Sequence, residues 1–293
     1  MTHPDYNSPS ALKEILDANG FSMQKKFGQN FLVNGDARRR IADALALCPG
    51  TRVWEVGPGL GAMTSEILAR GADLTAFEID RGFISLIQRY FSDYADLGRF
   101  RIVEGDVLRT WRACCESGGI PDRFFGNLPY NIAAVIIADT IEAGVRFERC
   151  VVTVQKEVAQ RMTASPGSAD YSSFSVLCGW AYDVSPLQDL SGGCFWPRPN
   201  VDSRAVVMTR RDGFPGCSNP SLFIKTQRAL FMSRRKTVRN NLTAFLHDGD
   251  LCLDVLGRAG VDPMCRAEVL GLEEMLRLSD IINDDIIGGR VKL

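Results

Sequence analysis

RVWEVGPGLGAMTSEILARGADLTAFEID, residues 52 to 80, carries the pattern on which the fold turns. An apolar run from Arg52 to Val56 enters a glycine turn, Gly57-Pro58-Gly59-Leu60-Gly61. An amphipathic stretch follows from about Ala62, and a second apolar run, LTAFE, ends at Glu78. Strand, turn, helix and strand in so short a span make a βαβ unit, whose crossover closes right-handed onto a parallel neighbour.

Working outward, the alternation continues through FISLIQRYF, FRIVEGDV, DRFFGNLPY, IAAVIIADTIEAG and RCVVTVQKEVAQRM, which places five strands before residue 160. SSFSVLCGWAY and SRAVVMTR supply a further pair, close enough in sequence to add an antiparallel edge. The expected fold class is α/β, a doubly wound, mostly parallel seven-stranded sheet. RRDGFPGCSNP, residues 210 to 220, breaks the strand pattern with Gly, Pro, Ser and Asn. Beyond it, apolar residues recur at three- and four-residue spacing, with LFIKTQRALFMSRRKTVRNNLTAFL reading as helical. Two domains are expected, 1–210 carrying the sheet and 211–293 small and helical.

Composition narrows the chemistry. Of 293 residues, 45% are hydrophobic and 24% charged, which suits a globular chain with a sizeable core. The formal net charge of -1 supplies no global positive field, so any nucleic-acid surface must be a local patch. Only two histidines occur, His3 near a start expected to be flexible and His247 beside Asp248-Gly249-Asp250, which removes most histidine-base schemes and multi-histidine metal sites. Nine cysteines without a C-x-x-C pair argue against a zinc site or a disulfide framework and for reduced thiols in a cytoplasm. No stretch has the length of a membrane span, and no metal is expected.

The glycine turn has its third glycine at Gly61 rather than Ala62, so it departs from the dinucleotide fingerprint and disfavours a pyrophosphate. Gly57 and Gly59 let a ligand approach the backbone closely. Glu78, at the next strand end, can accept from both ribose hydroxyls of a nucleoside, and Asp106, after the third strand, from an adenine amine, unless it is only a helix cap. S-adenosylmethionine fits this set, because its sulfonium needs no phosphate cradle and gains from acids such as Glu55.

Asn127-Leu128-Pro129-Tyr130 ends the fourth strand. Methyl transfer to an exocyclic amine requires its lone pair to leave conjugation with the ring. The Asn127 side-chain oxygen and the Leu128 carbonyl, presented by the rigid Pro129, can accept the N–H bonds in that geometry. Tyr130 can stack on the base, and Phe195, in the aromatic loop FWPRPNVDS, can supply a second face or simply cover the core.

These stretches, with KKFGQNFL (25–32), EGDVL, GNLPYNIA, VQKEVAQRM, YSSFSVL and SRRKTVRNNL, resemble the ribosomal RNA adenine dimethyltransferases over residues from about 25 to 275. Met63 and Asn200 stand where leucine and lysine are the family's pattern. The resemblance implies a Rossmann-like class I methyltransferase fold. It also implies that Asn30 and Leu32 join Gly57, Glu78, Asp106 and Asn127 around S-adenosylmethionine, and that two adjacent adenines in a 3′-terminal hairpin loop of small-subunit ribosomal RNA are dimethylated at N6. The expected partner is that RNA or a pre-small-subunit particle, met by a monomer. Lys25, Lys26, Arg38, Arg39 and Arg40 form one basic patch. Arg234, Arg235, Lys236 and Arg239, expected on a helix of the second domain, form another, both suited to phosphates. A large-subunit methyltransferase of the resistance type and a non-catalytic RNA-binding assembly factor are the competing readings.

Overall fold

The structure, a computed structural model, describes residues 3–21, 30–128, 132–211 and 216–290. The elements in chain order are α1 (Pro9–Ala18), β1 (Phe31–Leu32), α2 (Gly35–Ala44), β2 (Arg52–Val56), α3 (Ala62–Ala69), β3 (Asp73–Glu78), α4 (Arg81–Tyr90), α5 (Ser92–Asp96), β4 (Phe100–Glu104), α6 (Val107–Gly118), β5 (Arg123–Asn127), α7 (Ala133–Glu142) and β6 (Arg149–Gln155). They continue with α8 (Lys156–Met162), α9 (Ser173–Ala181), β7 (Tyr182–Leu190), β8 (Phe195–Trp196), β9 (Ser203–Arg210), α10 (Pro220–Leu230), α11 (Val238–Leu246), α12 (Gly249–Ala259) and α13 (Leu272–Ile287).

Seven strands form one sheet in the order β4-β3-β2-β5-β6-β9-β7, parallel from β4 to β6, with β9 antiparallel to β6. β2 is buried along four of its five residues and β6 along five of seven. Strands covered by helices on both faces read as continuous apolar runs, which is why these segments show no alternation. On one face Ile41, Leu45, Ile67, Leu68, Ile87 and Phe91 close over the sheet. Trp54 lies edge-on to Phe77 (4.9 Å between ring centroids) and to Phe147 (5.8 Å), and Phe147 meets Phe124 at 5.0 Å. Each such side chain contributes about 1.5–3 kcal/mol through removal from water. The chain runs from β2 outward to β3 and β4, then returns to the other side of β2 for β5. That reversal opens a crevice beyond the strands' carboxyl ends, where open α/β sheets bind ligands.

The chain divides into two compact units. The first gathers residues 1–137, 145–159 and 184–210; the second gathers 138–144, 160–183 and 211–293. The expected division at 210 is thus the last of several crossings between them. SSFSVLCGW, expected as a strand, is helix α9, and the strand is displaced to Tyr182–Leu190. Ser172 and Ser175 cap the helix reciprocally, with the Ser172 N–H donating to Ser175 Oγ at 3.0 Å. Within the second unit α9 packs on α10 and α13, and Trp180 meets Phe223 at 5.0 Å. Six of its nine residues are buried, so no polar face survives to show a helical period.

α10 and α11 begin at side-chain caps, Asn219 Oδ1 accepting from the Leu222 N–H (3.1 Å) and Thr237 Oγ1 from the Asn240 N–H (3.3 Å). Arg234, Arg235 and Lys236 therefore lie in the turn between the two helices rather than on a helix, and only Arg239 is helical. Among the described residues no helix is long and apolar enough to cross a membrane.

Candidate active site

A cavity of about 340 Å³ opens at the carboxyl ends of β2, β3 and β5, all within the first unit. Gly57, Gly59, Glu78, Asp106 and Asn127, expected there from residue chemistry, line it, as do Asn30 and Leu32, expected only from resemblance.

The glycine turn shapes the floor. Gly57 has φ +70 and a Cβ on it would meet no atom within 4 Å, so the turn leaves ligand space there. Gly59 has φ +56 and approaches the Phe31 ring so closely that a Cβ would sit 2.9 Å from Cε1. Only glycine combines that backbone with that approach. Phe31 in turn lies edge-on to Phe83 at 5.7 Å, giving the cavity an apolar wall.

Glu78 is buried at the end of β3. Its Oε1 accepts from the Ile79 N–H (2.8 Å) and the Asp80 N–H (2.9 Å), and its Oε2 from the Gly59 N–H (3.2 Å). Burial pushes its carboxyl up, against the pull of these donors. Glu55 is buried deeper in the same cavity, and burial pushes it up to about 8 even though the Thr64 hydroxyl donates to its Oε2 at 2.7 Å. Asp106 caps α6 through Oδ1, which accepts from the Leu108 N–H at 3.0 Å, and it also lines the cavity. Among the described residues the lining holds three carboxyl groups and no Lys, Arg or His. These acceptors suit the hydroxyl and amine donors of a nucleoside such as S-adenosylmethionine.

Asn127 ends β5 and its Nδ2 donates to the Asn30 carbonyl at 2.9 Å, which fixes the amide plane and ties two walls of the cavity together. Leu128 is 3% exposed, its N–H donates to the Thr153 carbonyl at 3.2 Å, and it is not part of the lining. Pro129 and Tyr130 lie outside the described residues. Phe195 is 5% exposed in the hydrophobic core and pairs with Leu32 in the two-stranded β1/β8 ladder, a position that fits the covering role.

Sequence reasoning missed the apolar lining, Phe31, Phe77, Ile79, Phe83, Val107 and Ile132. Ile79 and Val107 directly follow Glu78 and Asp106, and an apolar residue beside a strand-end acid was the available signal. The first basic patch also changes. Arg39 and Arg40 are exposed, Lys25 and Lys26 lie outside the described residues, and Arg38 is buried with its guanidinium spent on carbonyls.

The profile of the family described as ribosomal RNA adenine dimethylase matches residues 20–284. A Treponema denticola protein named ribosomal RNA small subunit methyltransferase A is 48% identical over 285 residues, covering 96% of this chain and 97% of that protein. Among solved structures, a dimethyladenosine transferase from Plasmodium falciparum superposes with a TM-score of 0.74 at 23% identity over 87% of this chain and 97% of its own. The 23S rRNA methyltransferase ErmE does so with 0.64 at 22% over 86% of this chain and 99% of its own. The two superpositions establish the fold, and the near-full-length match in sequence carries the assignment: this chain belongs to the ribosomal RNA adenine dimethylase family.

Proposed function

We propose that the protein dimethylates N6 of two adjacent adenines in a 3′-terminal hairpin loop of small-subunit ribosomal RNA, with S-adenosylmethionine as methyl donor, during ribosome biogenesis. It acts as a cytoplasmic monomer on the RNA or on a pre-small-subunit particle. The observation that carries this reading is the cavity lined by Glu55, Glu78 and Asp106 in a chain whose 48%-identical relative is named for the small subunit.

When bound, the cofactor supplies an electrophilic methyl group on a sulfonium. Glu78 accepts from the ribose hydroxyls through Oε2, the oxygen with a single main-chain donor. Asp106 accepts from the cofactor's adenine amine with the oxygen that does not cap α6. Asn127, its Nδ2 held by Asn30, turns Oδ1 to the target amine, and the Leu128 carbonyl takes the second N–H. Holding both N–H bonds aims the nitrogen lone pair out of the ring plane, so no base is needed before transfer, and the displaced proton leaves to water. Tyr130 stacks on the extruded base. Exposed Arg235, Lys236 and Arg239 of the second unit, with Arg39 and Arg40 of the first, bind phosphates.

Mass spectrometry of nucleosides from small- and large-subunit RNA, with and without the protein, tests the reading. Dimethyladenine confined to the small-subunit RNA is the expected result. The mark in large-subunit RNA would transfer the assignment to the resistance type, and bound but unmodified RNA would leave an assembly factor.

A further inference from the structure

Arg38 is a buried cation, 5% exposed on α2, with no ion-pair partner among the described residues. Charge in such a place persists only where hydrogen bonds replace its water. Nη1 donates to the Leu32 carbonyl at 2.8 Å and the Tyr6 carbonyl at 3.3 Å, and Nη2 to Asn7 Oδ1 at 2.7 Å. One guanidinium therefore joins the main chain ahead of α1 to the strand that lines the cavity.

That segment lies against the site from beneath. Leu12 and Leu16 of α1 pack with Leu60 of the glycine turn and with Phe31 and Phe83 of the cavity wall. The Tyr6 hydroxyl reaches within 3.2 Å of where a Cβ on Gly61 would stand, and the His3 ring meets Phe91 at 4.8 Å. Asn7 Oδ1 comes within 2.8 Å of a Cβ position on Gly35, so the start of α2 is fitted to it.

We propose that Arg38 is a positioning residue for the cofactor: through Leu32, it makes the N-terminal segment, residues 3–18, a structural part of the cofactor wall. Leu32 is held on its other side by the pairing with Phe195, and Asn30, two residues before it, holds the Asn127 amide. Releasing the guanidinium frees the middle of this linked series, so the wall samples positions in which Asn30 and Leu32 no longer meet the ligand. The inference rests on the cofactor reading given above.

The test uses the full-length protein carrying Arg38→Lys, Arg38→Met or Asn7→Ala, with three readouts. Amide hydrogen exchange on the ligand-free protein should speed up at Val33 and Asn34, whose N–H groups bond to the Cys194 carbonyl, in Arg38→Met and less in Arg38→Lys. Calorimetric Kd for S-adenosylmethionine should rise about tenfold in Arg38→Met, the equivalent of losing roughly 1.4 kcal/mol, and about two- to threefold in Asn7→Ala. KM for the cofactor should rise with kcat at saturation within about twofold, the pattern of lost binding rather than lost chemistry. Asn7 is exposed at the surface, so its variant folds even where an Arg38 variant does not. Folded variants with parental exchange at Val33 and Asn34 overturn the proposal whether or not the wild type binds the cofactor. A wild type that does not bind overturns the cofactor reading instead.

Discussion

Glu78→Gln alters one charge and almost no volume at the end of β3. Glu78 Oε1 already accepts two N–H groups at 2.8 and 2.9 Å, whereas Oε2 accepts one at 3.2 Å. The glutamine carbonyl can keep the first pair, but its amide then faces the Gly59 N–H, donor against donor, and the cavity loses its charged acceptor. A hydrogen bond to a charged group contributes about 1.5–3 kcal/mol, so Kd for S-adenosylmethionine should rise roughly 10- to 150-fold. Calorimetric titration gives the number, with the melting temperature as the control for folding. Because burial pushes the Glu78 carboxyl up, the comparison is made at several pH values. A folded variant that binds with the parent's affinity would refute the placement of the ribose at this acid.

Three further outcomes follow from other residues. Glu55 is pushed from 4.5 to about 8, so the folded chain keeps a proton that the unfolded chain releases between those values. Its contribution to stability is full at acid pH and is lost as pH rises towards 8, at up to about 1.4 kcal/mol per unit; urea unfolding from pH 5 to 8.5 should show this slope in the parent and a flatter one in Glu55→Gln. Asn127→Ala should lower turnover by about 10² or more with little change in melting temperature, and near-parental dimethylation by a folded variant would remove Asn127 from the mechanism. Neutralising Arg235, Lys236 and Arg239 together should lower the salt slope of RNA binding by about 0.7 to 0.9 for every phosphate left without its cation, while cofactor affinity stays constant. Arg234 is left intact in that test because it donates to the Ala169 carbonyl and pairs with Glu268, and its removal would loosen the second unit itself.

The central strands were legible because parallel strands covered on both faces are apolar over most of their length, as RVWEV and RCVVTVQ are. The acids and glycines of the site were legible because each ends a strand that could be read. What failed did so where burial erases period. α9 is apolar on all sides, and only Ser172 with Ser175 marked its start. Thr237 was the overlooked cap that moves Arg234 to Lys236 out of a helix. The start of the chain, expected to be flexible, is packed through Tyr6, Leu12 and Leu16, whose partners Phe31, Leu60 and Leu86 are distant in sequence. Arg38 looked like its neighbours Arg39 and Arg40 because a helix alternates buried and exposed positions without changing residue type. Its role depends on carbonyls, which every residue has.

β9 enters the sheet between β6 and β7, although it is made after both. During synthesis the open side of β6 must wait for a strand about fifty residues further along the chain. At translation rates of about 5–20 residues per second, that is roughly 3 to 10 s in which a row of unpaired main-chain groups on an apolar strand stands free. The nascent chain is therefore exposed to wrong strand pairing over one defined interval, between emergence of Gln155 and of Ser203. Pauses in translation within that interval should lower the yield of folded protein more than pauses elsewhere.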